Sequence, residues 1–367
     1  MPIVAAIIGI LCLGIVIHDV FEAMLLPRRV RRRLRLVRIF FNATWAVWSS
    51  LSMRAAKGNG RETSLAFYGP FSMVLLILTW VVTLIAGYGL LHWALAPDTS
   101  VGRQMYLSGA TFFTLGYGDV IPLTPLSKAL AIVEAGTGFG FIAILIGYLP
   151  VLYQLFSRRE AQVIQLDARA GSPPSAVTLL TQHAEGQGIE DLYRFLGGWE
   201  AWAAELVESH LSYPMLSYYR SQHDNQSWLA AICAILDSCA LILVGLRGIR
   251  TFPAKMAFAT SRLALIELSR ALDATPRPET SARQPAFDFQ TVAAELAKGG
   301  LNFTDNDPET KLAAFRSTYE PFLVGLSNHL LLPLPNWLPG DKLDNWQNSP
   351  RGRRAKQLVD NSPARPK

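Results

Sequence analysis

Cysteine is scarce in this sequence, and the few cysteines do not form pairs. The three residues, Cys12, Cys233 and Cys239, cannot build a disulfide framework and lack the paired spacing of a zinc site. We therefore expect the C-terminal part of the chain to lie in a reducing compartment.

Charged residues are absent from three long stretches, at positions 2–18, 63–97 and 135–157. A helix needs about 20 apolar residues to cross the bilayer core, and half of all residues are hydrophobic. We predict three transmembrane helices, the first at residues 1–26, with Asp19 and Glu22 towards the interface. A cleaved signal peptide would need basic residues before its apolar run and a small-residue site after it, and the N-terminus has neither.

Acidic residues are few in the N-terminal part, where the first 154 residues hold 12 Lys and Arg against 6 acids. Ten of these basic residues lie between Arg28 and Arg61, which favours a cytoplasmic loop at residues 27–62. The N-terminus would then lie outside, and the chain beyond Arg158 in the cytoplasm. Residues 39–53 are apolar but short, so an interfacial helix is favoured over a fourth span.

The basic loop contains arginines at every third position, which is also the spacing of a voltage sensor. They are Arg29, Arg32, Arg35 and Arg38. A sensor places such arginines within an apolar helix, whereas here Arg28, Arg31 and Arg33 fill the gaps. We favour binding of Arg28–Arg38 to anionic lipid headgroups, worth about 1 kcal/mol per basic residue.

Residues 114–119, the filter segment, read Thr-Leu-Gly-Tyr-Gly-Asp and lie between the second and third apolar stretches. A selective pore must replace the water around a small cation with protein oxygens, and rings of backbone carbonyls do this without net charge. Inward-pointing carbonyls at successive residues need an unusual backbone, which Gly116 and Gly118 tolerate. The Thr114 hydroxyl can add a further oxygen.

The filter segment resembles the Thr-x-Gly-Tyr-Gly-Asp signature of prokaryotic potassium channels, which carry one pore loop between two helices. The resemblance covers about Phe71 to Phe156 and implies a pore module at residues 63–157. Its parts are an outer helix at 70–95, a pore helix and filter at 103–119, and an inner helix at 124–156.

The same resemblance assigns the ion path. Carbonyls of Thr114, Leu115, Gly116 and Tyr117 would hold potassium, with Gly118 and Asp119 completing the filter. One filter segment per chain implies a homotetramer, and potassium is the one bound species expected, with no other cofactor. A short pore helix ending at the filter would also favour cations through its C-terminal dipole.

The surroundings of the filter depart from the family pattern. Phe113 replaces a second threonine, Ala110 replaces an acid of the pore helix, and Tyr106 and Leu107 stand where an aromatic pair often braces the filter. We expect Phe112 and Phe113 to support the filter instead. Glu134, the acid within the third apolar stretch, would brace it from behind, or else face the surface.

The inner helix carries three alternating glycines, Gly136, Gly138 and Gly140. Related channels often bend at a glycine near this depth, so these residues are candidates for a gating hinge, Gly138 above all. Small residues also allow membrane helices to approach closely, and the sequence leaves hinge and packing open.

The rest of the chain is predicted to form a helical cytoplasmic domain at residues 158–340, followed by a tail without fixed structure at 341–367. The apolar segment 228–245 is predicted to be the buried central helix of this domain, because Asp237 makes a membrane span costly. The fold class is an all-α membrane protein with an extra N-terminal transmembrane helix.

The C-terminal domain has no motif that names a ligand. It lacks a dinucleotide fingerprint, a phosphate-binding loop and a catalytic constellation, so we expect no enzyme, no nucleic-acid partner and an unknown cytoplasmic ligand or partner. The acids Asp305, Asp307 and Glu309 resemble a calcium loop faintly, but Asp307-Pro308 better fits a helix start.

These observations predict a potassium-selective channel subunit in the cell membrane. Two other interpretations stay open. One is a non-selective cation channel, suggested by Phe113. The other is a membrane-anchored signalling or scaffold protein with a vestigial pore.

Overall fold

The computed structural model describes most of the chain, and these residues form helices and their connections. The described ranges are 1–25, 36–55, 58–184, 188–221, 226–277 and 288–338. Within them an isolated bridge joins Leu246 and Phe303, and no strand forms. The all-α fold class is confirmed. The chain divides into two compact units, Met1–Gln154 and Leu155–Lys367.

The first unit is built from long helices. They are α1 (Pro2–Val20, continued by a π-helical turn at Phe21–Leu25), α2 (Leu36–Ala55), α3 (Asn59–Leu95), α4 (Val101–Phe112) and α5 (Pro125–Ala170). Three stretches of described residues are long and apolar enough to cross a membrane: Pro2–Met24, Gly60–Leu95 and Pro125–Ala170. Each of them overlaps one of the three uncharged stretches of the sequence.

Two helices are longer than the sequence predicted. The outer helix begins at Asn59 rather than at 70, and the inner helix ends at Ala170 rather than at 156. The predicted bounds were those of the resembled pore module, but a helix can continue beyond such a module, and a charged residue does not end it. The first glycine after Gly147 is Gly171, which has a φ of 81° and comes directly after the last helical residue.

Helix α1 packs directly against α3. A Cβ on Gly9 would lie 2.7 Å from the carbonyl oxygen of Gly87, so the two backbones approach as only glycine allows. At the other end of α1, Trp80 Nε1 donates a hydrogen bond of 2.8 Å to Asp19 Oδ2. Asp19 is buried against α3, and its place towards the membrane interface remains a prediction.

Helix α2 packs on the N-terminal part of α3. The Tyr68 hydroxyl donates to the Phe41 carbonyl at 3.0 Å, and Trp48 Nε1 donates to the Ser64 carbonyl at 3.0 Å. Its interfacial location remains a prediction. The arginines between 28 and 35 lie outside the described residues.

The second unit begins at residue 155 within α5 and continues with shorter helices. They are α6 (Ala176–His183), α7 (Gly188–Ser212), a 3-10 turn (Pro214–Tyr218), α8 (Trp228–Leu243), α9 (Thr251–Ala271), α10 (Phe289–Lys298), α11 (Pro308–Ser317) and α12 (Glu320–Leu330). Helix α8 is buried from Trp228 to Ile242, as predicted. Its acid, Asp237, accepts a hydrogen bond of 2.7 Å from the Tyr319 hydroxyl.

Arg159 is a buried cation of this second unit. Its guanidinium donates to the Leu216 carbonyl at 2.8 Å and the Tyr219 carbonyl at 2.7 Å, and pairs with Glu160 at 2.9 Å. His210 Nε2 lies 3.2 Å from its Nη1. Burial, and then the charge of Arg159, lower the pKa of His210 well below its ordinary value.

The suspected calcium loop is a helix start. Asp307 is the N-cap of α11, and its Oδ1 accepts from the Thr310 backbone N–H at 3.3 Å. Asp305 is paired with Lys311. The predicted unstructured tail at 341–367 lies outside the described residues.

Candidate filter and its support

The filter segment follows the C-terminus of α4 through a regular helix cap. Leu115 N–H bonds to the Ala110 carbonyl at 2.8 Å, and Thr114 N–H bonds to the Thr111 carbonyl at 3.0 Å. This pair of bonds is the Schellman motif, which requires a left-handed residue just after the helix. That residue is Thr114, with a φ of 55°. Glycine normally occupies this position, so the cap holds a β-branched residue in a costly backbone conformation.

Every second residue of the filter segment has a positive φ. The values are 55° at Thr114, 60° at Gly116 and 80° at Gly118, whereas Leu115 and Tyr117 keep the ordinary negative sign. In a regular strand, successive carbonyls point to opposite sides. Reversing the handedness of alternate residues turns the intervening peptide planes, so that the carbonyls can share one side. This backbone is what a column of ion-binding carbonyls requires.

One side of the filter segment is open in a single chain. Tyr117 is 71% exposed, and a Cβ on Gly116 or Gly118 would meet no atom within 4 Å. The far end is tied back to α4, because the Tyr106 hydroxyl donates to Asp119 Oδ1 at 3.3 Å. The segment is therefore anchored at both ends by α4 and uncovered between them.

The two predicted support phenylalanines lie in different surroundings. Phe112 has no exposed surface, and its ring centre lies 6.3 Å from that of Phe141 on α5. Phe113 stacks edge-on against Phe112 at 5.4 Å, yet remains 47% exposed. Phe112 thus fills the space between α4 and α5, whereas Phe113 is left uncovered by its own chain.

The three glycines of α5 are not equivalent. A Cβ on Gly138 would lie 2.1 Å from the carbonyl oxygen of Phe112, at the C-terminus of α4. A Cβ on Gly136 or Gly140 would meet nothing within 4 Å. Gly138 is therefore a packing residue against the end of α4, next to the filter segment. Helix α5 is continuous through all three positions, and a gating hinge here stays a prediction.

Glu134 lies inside a buried polar cluster that joins three helices. Its Oε2 is 3.0 Å from His92 Nε2 on α3, and its Oε1 contacts the Ser108 hydroxyl on α4. The other ring nitrogen of His92 is 3.0 Å from Ser127 Oγ, and Ser108 Oγ is also 2.8 Å from the Ile85 carbonyl oxygen. His92 and Glu134 have no exposed surface. Glu134 therefore faces the interior of the unit rather than its surface.

Sequence reasoning missed His92 altogether. The available signal was weak, since His92 is one of a few polar residues in an uncharged stretch whose neighbours are apolar. Its partner, Glu134, lies 42 residues further along the chain, and no periodic pattern connects the two.

A stripe of large apolar side chains runs along the side of α5 that is open in a single chain. Its members recur every seven residues, which places them on one face of the helix. They are at least 65% exposed and comprise Ile132, Phe139, Ile146 and Tyr153.

Comparison with known proteins points to one part of the chain. Residues 71–154 match the family model described as ion channel. The chain is 26% identical over 210 residues to the uncharacterized membrane protein YdjJ of Bacillus subtilis, covering 54% of this chain and 59% of that protein. It is 40% identical over 55 residues to two-pore potassium channel 5 of Arabidopsis thaliana, covering 15% of this chain and 14% of that protein.

No solved structure matches the chain significantly. The alignments cover less than two thirds of either relative's length. Because residues 71–154 match the ion-channel family model, they form an ion-channel module of a membrane protein. This module contains the filter segment, α4 and the buried cluster around Glu134.

Proposed function

We propose that the chain is one subunit of a potassium-selective channel that forms its pore as a homotetramer in the cell membrane. The observation that carries the proposal is the alternating backbone of the filter segment, with positive φ at Thr114, Gly116 and Gly118. It occurs within a module that matches the ion-channel family.

Potassium is the proposed substrate of the filter. Carbonyl oxygens of Thr114, Leu115, Gly116 and Tyr117 would replace its hydration shell, and the Thr114 hydroxyl would add a further oxygen. Gly118 and Asp119 would form the mouth.

The uncovered side of the filter segment supports a symmetric assembly. One chain supplies one carbonyl column, and a ring around an ion needs several such columns, so identical subunits around one axis complete the site. The apolar stripe on α5 lies on the open face, where further copies of the chain would line the path below the filter or pack against it. The number four comes from the resemblance of the filter sequence.

The distribution of basic residues supports an orientation. Positive charge favours the cytoplasmic side for residues 27–62 and for the chain beyond Arg158. The mouth at Asp119 and the N-terminus would then face outward, and the basic segment would contact anionic headgroups.

Electrical recording from full-length protein in lipid bilayers tests the proposal. Under opposed sodium and potassium gradients, the reversal potential should lie near the potassium equilibrium value, and barium should block the current. A reversal potential near zero would instead indicate a non-selective cation pore. Absence of current from folded protein would favour a vestigial pore. Crosslinking in membranes should separately yield a ladder that ends at four subunits.

A further inference from the structure

The hydrogen bonds of the buried pair of His92 and Glu134 go to residues outside the filter segment, and they link the three helices that flank it. His92 comes three residues before the end of α3 at Leu95, and Ser127 lies in the first turn of α5. The cluster therefore starts where α3 and α5 meet the loops that flank the filter and extends inward to Ser108 on α4.

The cluster is a single chain of four contacts. They run from the Ile85 carbonyl oxygen to Ser108 Oγ, from Ser108 Oγ to Glu134 Oε1, from Glu134 Oε2 to His92 Nε2, and from His92 Nδ1 to Ser127 Oγ. Each contact needs one hydrogen atom between its two heavy atoms.

If all four contacts are hydrogen bonds at the same time, counting hydrogens places a proton on Glu134. The Ile85 carbonyl can only accept, so the single hydroxyl hydrogen of Ser108 must point to it. Glu134 Oε1 must then carry a proton and donate it to Ser108 Oγ. Its Oε2 accepts from His92 Nε2–H, and with a neutral ring His92 Nδ1 accepts from the Ser127 hydroxyl. A neutral Glu134 and a neutral His92 satisfy all four contacts together.

We propose that Glu134, held by His92, is a proton-binding site whose occupancy clamps α4 to α3 and keeps the filter in its conducting form. The effect on conduction rests on the proposed function. The proton site itself depends only on the four contacts of the cluster.

Loss of the proton breaks one particular contact. An ionised Glu134 takes the Ser108 hydrogen, because hydrogen bonds to a carboxylate are stronger than those to a neutral carbonyl. Ser108 Oγ and the Ile85 carbonyl oxygen then face each other at 2.8 Å without a hydrogen between them. Their repulsion releases α4 from α3 six residues before Thr114. Conductance therefore falls as the pH rises.

The neighbouring helices offer few other groups that could titrate in this place. On α3, Tyr88 lies one turn deeper, and its hydroxyl is 2.7 Å from Thr137 Oγ1. On α4 the cluster is met by Ser108, which stays neutral. On α1 the buried acid is Asp19, which is bound by Trp80. Within the described part of the chain, His92 is the ionisable group in hydrogen-bond contact with Glu134.

Glu134→Gln separates this proposal from a structural role. The amide N–H can donate to Ser108 and the amide oxygen can accept from His92, so the variant keeps the proton-loaded pattern at every pH. In liposomes, wild-type potassium flux should fall roughly fivefold from mildly acidic to mildly alkaline pH. A fivefold change in the conducting population corresponds to the net free energy of one hydrogen bond. Glu134→Gln should give a flat profile at the high level. His18→Gln, which alters a histidine that is 60% exposed, should keep the wild-type profile.

A second measurement does not depend on conduction. Infrared difference spectra of the wild-type protein should show the carbonyl band of a protonated carboxylic acid that disappears as the pH rises and is missing in Glu134→Gln. If the wild type gives no flux at any pH, the proposed function fails. The infrared band alone then shows whether Glu134 binds a proton.

Three results would overturn the proton site. They are a wild-type flux without pH dependence, an unchanged pH profile in Glu134→Gln, and the absence of a titrating carboxylic band. Each is compatible with a potassium channel. If Glu134→Gln fails to assemble, two other measurements test the proton site. They are the titrating carboxylic band of the wild type and the potassium flux of Ser108→Ala, which should be low and independent of pH.

Discussion

Gly138 lies directly under the carbonyl of Phe112, so that a Cβ at position 138 would lie 2.1 Å from the carbonyl oxygen. This contact is between the N-terminal third of α5 and the end of α4, shortly before the filter segment. A backbone oxygen cannot swing away as the end of a flexible side chain can, so any larger residue must displace one of the two helices.

Replacing Gly138 by alanine is therefore expected to destabilise the module. Overpacking of this kind typically costs about 1–3 kcal/mol, and the displaced Phe112 carbonyl would distort the cap that sets Thr114. We expect a lower unfolding temperature in detergent and a loss of potassium current. Gly136→Ala is the matched control for the unfolding temperature, because a Cβ there meets nothing within 4 Å. Equal behaviour of the two variants would refute the packing role.

Replacing Gly116 by alanine should change selectivity much more than assembly. No atom lies within 4 Å of the added Cβ, but the residue has a φ of 60°, where an L-residue costs about 1–2 kcal/mol. The backbone relaxes and turns a carbonyl away from the ion path. We expect a reversal potential shifted towards zero, or no current, from protein that still assembles. Gly102→Ala, in the first turn of α4 with open space around it, should conduct normally.

Replacing Trp80 by phenylalanine tests how α1 is held. The substitution keeps most of the ring volume but removes the N–H that donates to Asp19, leaving a buried carboxyl group without this donor. Such a loss costs about 1–3 kcal/mol. Asp19→Ala removes the acceptor of this bond, and a thermal unfolding series of Trp80→Phe, Asp19→Ala and the double variant should give a coupling energy above about 0.5 kcal/mol. Strict additivity would mean that the bond does not contribute.

His210 should make the second unit sensitive to acid. Its folded-state pKa lies well below the ordinary value of 6.5, so unfolding takes up a proton once the pH is below 6.5. Stability from this source is complete above pH 6.5 and is lost as the pH falls towards the folded pKa, by at most about 1.4 kcal/mol per pH unit. Unfolding curves of full-length protein should show this slope. His210→Gln should reduce it, and His18→Gln should not.

The fold could be predicted where it depends on simple local rules. Uncharged stretches predicted the three long apolar helices, and Asp307-Pro308 predicted the start of α11, because capping is local chemistry. The lengths of α3 and α5 could not be predicted from hydropathy, which reports where apolar residues end and not where the backbone stops being helical.

The candidate site was predictable only in part. The filter hexapeptide carries its own backbone requirement, so the positions of Gly116 and Gly118 could be understood from the sequence. Gly136, Gly138 and Gly140 look alike in the sequence, and only the packing of α5 against α4 distinguishes Gly138. The pairing of His92 with Glu134 depends on how α3 and α5 are aligned, which no local pattern encodes.

Thr114 brings folding stability and filter chemistry into opposition at a single position. A left-handed residue must follow α4 at this position. Holding a threonine in the left-handed conformation costs of order 1–3 kcal/mol of conformational free energy relative to an ordinary backbone conformation. Glycine would relieve that cost and complete the same cap. It would also remove the hydroxyl oxygen that we assign to the ion path. A laboratory selection for thermal stability alone would therefore favour Thr114→Gly and enrich well-folded proteins with a defective filter.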